Sequence, residues 1–75
     1  MTTEEKYDDA LENAVERLKT LEYFLEHAKH ALDNEDISLA TELAETMEDR
    51  AESFHKAMLE LQEADEYLQE ERESA

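Results

Sequence analysis

From Tyr7 to Leu32, apolar residues return at steps of four and three without a break: Tyr7, Leu11, Ala14, Leu18, Leu21, Leu25, Ala28 and Leu32. That period belongs to an α-helix with one apolar face, because side chains three and four positions apart project from the same side. Ala40, Ala44, Met47, Ala51, Phe54, Met58 and Leu61 repeat the spacing in the second half, until Asp65 interrupts it ahead of Leu68. A flanking row widens each stripe. Ala10, Phe24 and Ala31 widen the first, interrupted by Arg17; Leu43, Ala57 and Ala64 widen the second, interrupted by Arg50. With no glycine and no proline in the chain, nothing breaks a helix inside either stripe, and tight β-hairpin turns lack their usual residues. The sequence predicts an all-α fold.

The join lies within HALDNEDISLATELAE, His30 to Glu45. Leu32 closes the first stripe, and Asn34 can take the left-handed conformation that usually falls to glycine beyond a helix end. Asp36 is placed to cap the next helix by accepting from its free N–H groups. Thr2 with Glu5 fits a capping box at the start of the first helix. The expectation is one helical-hairpin domain over residues 1–75. Its first helix covers about 3–32, its turn about 33–36 and its second helix about 37–72, so that about 30 residues of helix run roughly 45 Å.

Folding back seam on seam sets large against small: Leu25 with Ala44, Leu18 with Ala51, and Ala14 with Phe54. Leu21 then meets Met47, Leu11 meets Met58 and Tyr7 meets Leu61, while Tyr67 approaches Tyr7 at the open end. This pairing leaves the flanking Phe24, Leu43, Ala31 and Ala57 in need of cover, with Tyr23 beside them. A second copy supplies it most simply, so the expected assembly is an antiparallel homodimeric four-helix bundle with those five residues at the interface. Such a bundle resembles the Rop-type plasmid-copy-control dimer in architecture. It shares no motif with that family and lacks the basic residues of its RNA-binding surface.

The charge narrows the function classes. Acidic residues number 23 against 7 basic, a formal net charge of −16. That surface repels phosphate backbones and anionic membranes, so direct binding to either is disfavoured. The apolar stretches are too short to span a bilayer, and MTTEEKYDDAL lacks the shape of a signal peptide, so a cytoplasmic location is expected. Like charges four apart, as at Glu12 and Glu16, Glu22 and Glu26, Glu48 and Glu52, and Glu66 and Glu70, repel along each helix. The expected role is a non-enzymatic protein–protein interaction module that binds or inhibits a basic protein partner. One alternative is a nucleic-acid mimic that occupies a DNA- or RNA-binding protein, as phage or plasmid proteins do.

Another alternative is a metal site. Glu52 and His55 form the E-x-x-H pair of ferritin-like di-iron bundles, which requires further carboxylates aimed at it from other helices, here across a dimer interface. His27 and His30, three apart on the polar side of the first helix, have a spacing that can hold a metal but read more simply as surface histidines. Asp33, Asn34, Glu35 and Asp36 lack the glycine and the twelve-residue ligand ladder of an EF-hand. Ser38 and Ser53 have no His–Asp arrangement in reach. No cofactor and no catalytic residue is expected.

Overall fold

In the computed structural model, which describes residues 2–74, the two stripes are two helices, α1 (Thr3–Asp33) and α2 (Ile37–Ser74). They pack antiparallel as a hairpin 58 × 18 × 14 Å in extent. Positions 1 and 75 of the expected domain lie outside the described residues.

The helix ends follow from local chemistry. The Thr2 side chain accepts from the Glu5 backbone N–H at 3.2 Å, capping α1. The Asp36 carboxylate accepts from the Leu39 N–H at 3.2 Å, capping α2. Between them, Glu35 N–H donates to the Leu32 carbonyl at 3.0 Å and Asp36 N–H to the Ala31 carbonyl at 2.8 Å. This crossed pair is a Schellman motif, which satisfies the last carbonyls of α1 and turns the chain back.

The left-handed residue is Glu35, at φ 58°, and not Asn34, which stays near helical at φ −91° and ψ 4°. The reason is length: α1 runs through Asp33, so Asn34 is its half-helical cap and the left-handed position falls one residue later. Glutamate there costs about 1 kcal/mol in Cβ–carbonyl crowding. Replacing Glu35 with glycine should therefore raise stability by roughly 0.5–1 kcal/mol, a few degrees in a thermal melt. An unchanged or lower melting temperature would show that Glu35 is not strained.

The helices meet through different rows than seam-on-seam pairing expects. Each stripe is three rows wide, and one partner helix covers about two. On α1 the covered rows are Tyr7, Ala14, Leu21 and Ala28, with Ala10, Phe24 and Ala31. On α2 they are Ala40, Met47, Phe54, Leu61 and Leu68, with Leu43, Ala57 and Ala64. These rows hold the rings of Tyr7, Phe24 and Phe54 and most of the alanines, so small residues let the axes approach while rings fill the spaces. Leu11, Leu18, Leu25, Ala44, Ala51 and Met58, expected in the seam, are exposed.

The resulting core is thin. Ala14, Ala31, Ala57 and Leu68 are the buried hydrophobics, at 4, 3, 3 and 6% exposure. Total accessible surface is 5911 Å², against about 4,800 Å² for a folded monomer of this mass. The hairpin keeps roughly 1,100 Å² that a typical fold would bury.

Candidate protein-interaction face

One edge carries a row of large exposed apolar side chains. Leu11, Leu18, Leu25 and Leu32, seven apart on α1, are exposed by 40, 41, 49 and 58%. On α2, Ile37, Ala44, Ala51 and Met58 form the corresponding row, all exposed. In an antiparallel pair, rows displaced the same way from the core on each helix lie on the same side, so these eight residues form one two-lane apolar strip. From Leu11 to Leu32 it runs about 32 Å along the axis. Val15 and Leu59, also exposed, extend it outward. At the open end it runs into a shallow cleft where Tyr7 faces Met58, Leu59 and Leu61, with His55, Gln62 and Asp65 at the margin.

The opposite edge has different chemistry. Its cleft sets Lys6, Asp9, Ala10 and Asn13 against Glu60, Glu63, Ala64 and Tyr67. Further along come Thr20, Thr46 and Ser53, all half-buried. The Thr20 and Thr46 hydroxyls donate to the carbonyls of Glu16 and Glu42, each at 3.2 Å, so they make no demand on a partner. At the open end, the Thr3 hydroxyl donates to the Glu71 carboxylate across the hairpin. Tyr67 and Tyr7 line opposite clefts, so the expected contact between them does not form; Leu68 fills the interior there instead.

The residues expected at an intermolecular interface divide three ways. Ala31 and Ala57 lie between α1 and α2 and have no surface left for a second molecule. This corrects the seam pairing that left them uncovered. Phe24 and Leu43 are half-buried in the same interface. Tyr23 alone stands out, 62% exposed. Its ring meets Phe24 edge-on at 5.6 Å between centroids and His27 at 4.3 Å. The Arg50 guanidinium sits 6.0 Å from the Phe24 centroid, at the outer reach of a cation–π contact. Among the described residues neither Arg17 nor Arg50 pairs with a carboxylate, and the one ion pair is Lys56 with Glu52, at 3.9 Å. It is exposed on both sides and contributes little.

That pair also bears on the metal candidates. Glu52 sits against Lys56, His55 borders the Met58 cleft, His27 meets the Tyr23 ring edge-on, and His30 is exposed near the turn. Among the described residues no three metal-binding side chains come together. No polar or charged side chain among them is buried, and no helix among them is long and apolar enough to cross a membrane. What the arrangement offers chemically is apolar area edged with negative charge. Comparison with protein-family models, with curated proteins and with solved structures finds no match.

Proposed function

We propose that the chain is a non-enzymatic protein–protein interaction module whose working surface is the strip built on Leu11, Leu18, Leu25 and Leu32. The carrying observation is four large leucines in one row, 40–58% exposed, beside a second exposed apolar row on α2. An apolar strip of this length on a small soluble hairpin marks a surface that a partner covers. The acidic exterior, at net −16, favours a basic protein as that partner. The nucleic-acid mimic rests on the same charge but leaves the leucine row unexplained, and ranks below.

A second reading places another copy of the chain on the strip, completing the homodimeric four-helix bundle. The thin core favours it: three of the four buried hydrophobics are alanines. The surplus surface of roughly 1,100 Å² is larger than the roughly 800 Å² each partner contributes to a stable interface, so there is room for one.

In-cell photocrosslinking tests the proposal and separates the two occupants. A photoreactive residue at Leu18 should give discrete adducts, whereas one at Glu63 on the opposite edge should give none. Adducts with another protein support the partner, and adducts at twice the chain mass support the second copy. Equal labelling from both positions, or none from Leu18, would contradict the proposal.

A further inference from the structure

We infer that the strip takes a basic amphipathic helix of a different protein, lying along the lane between the two apolar rows. This inference rests on the proposed function and names the partner's chemistry. Two antiparallel rows of leucine, alanine and methionine leave a lane into which a third helix can press its own apolar stripe, as in helix-in-groove recognition. Ala44 and Ala51 beside Leu25 and Leu18 keep the α2 side of the lane low. A strip of about 32 Å accommodates about 20 residues of helix.

Charge separates this occupant from a second copy. Outside the leucines, the next rows of α1 carry Asp8, Glu22 and Glu26; outside Ala44 and Ala51, those of α2 carry Glu45, Glu48 and Glu52. Lys19 and Lys29 are the basic residues among those rows of α1, and the α2 side offers no lysine or arginine in them. A second copy would bring an equally acidic rim against this one, at −16 per chain, and like-charge juxtaposition opposes assembly. A helix with leucine-like residues at steps of three and four and lysine or arginine on either flank meets both the apolar lane and the rim. The opposite edge has acids too, but no row of large apolar side chains for a helix to seat on.

The test is titration of the full chain with a labelled synthetic peptide of about 20 residues, leucine at heptad positions a and d and lysine at the flanks. Its control is a scrambled peptide of identical composition, which keeps the charge and loses the stripe. The patterned peptide should bind at least about tenfold more tightly than the scrambled one. Leu18→Gln with Leu25→Gln should remove that advantage while far-UV circular dichroism stays unchanged, since both side chains are already exposed. Glu60→Gln with Glu63→Gln, on the opposite edge, should keep it. Equal binding of the two peptides, or an advantage that survives the leucine substitutions, overturns the inference. A dimer in dilute sedimentation that the same leucine substitutions dissolve also overturns it, because the second copy is then the occupant. In that outcome, and in one where neither peptide binds yet Leu18 crosslinks to a protein in cells, the interaction module stands and the basic helix falls.

Discussion

Glutamate in place of Ala57 should unfold the hairpin. Ala57 is 3% exposed between α1 and α2, and a carboxylate there has no partner and no route to water. Burying an unpaired charge costs at least several kcal/mol. Total stability for 75 residues is on the order of 5 kcal/mol, so circular dichroism should show loss of most helix at room temperature. Leu18→Gln, on the exposed strip, should change stability by less than about 0.5 kcal/mol. The contrast is informative because seam-on-seam pairing expects the reverse. There Ala57 is an outer contact, glutamate would separate molecules without unfolding them, and Leu18 would be the core position that cannot be changed. A folded Ala57→Glu variant would refute the observed helix pairing.

Salt should stabilise the free chain and weaken its complexes. Glu12 and Glu16, Glu22 and Glu26, Glu48 and Glu52, and Glu66 and Glu70 are all exposed and four apart on their helices. Each such pair costs a few tenths of a kcal/mol, so relief of these and the longer-range repulsions totals about 2 kcal/mol. Going from low salt to about 1 M, where the screening length falls to about 3 Å, should raise the melting temperature by roughly 10 °C. Association with a basic partner should respond in the opposite direction, chiefly through a slower encounter rate. A melting temperature indifferent to salt would mean the acidic surface is not under strain. Partner binding indifferent to salt would remove the charge argument for a basic ligand.

Much of the architecture was legible in the sequence. Steps of three and four in the apolar residues, Thr2 ahead of the first stripe and Asp36 ahead of the second give two capped helices and a short turn between them. The rotation of each helix about its axis was harder to read. Three apolar rows per helix compete for one partner, and periodicity alone does not say which two win. Asn13, Thr20, Thr46 and Ser53 held the missing signal. Small uncharged polar residues in a chain otherwise crowded with Glu mark positions close to a packed helix, where a long charged side chain is hard to place. They flank the buried rows on the side away from the leucines, so reading them would have turned the interface toward Ala10, Ala31 and Ala57. Glu35 as the left-handed residue had no comparable signal, because Asn34 next to it is the better residue for that conformation.

The central claim is that this hairpin buries its alanines and offers its leucines. Thiol reactivity tests it directly, since the chain has no cysteine and each substitution introduces one reporter. In dilute solution, cysteine at Leu18 or Leu25 should react with an aromatic disulfide within about tenfold of its rate in denaturant, whereas cysteine at Ala14 or Ala57 should be slowed at least about a hundredfold, in step with the opening of the hairpin. Protection at Leu18 and Leu25 equal to that at Ala14 and Ala57, and unchanged on further dilution, would contradict it.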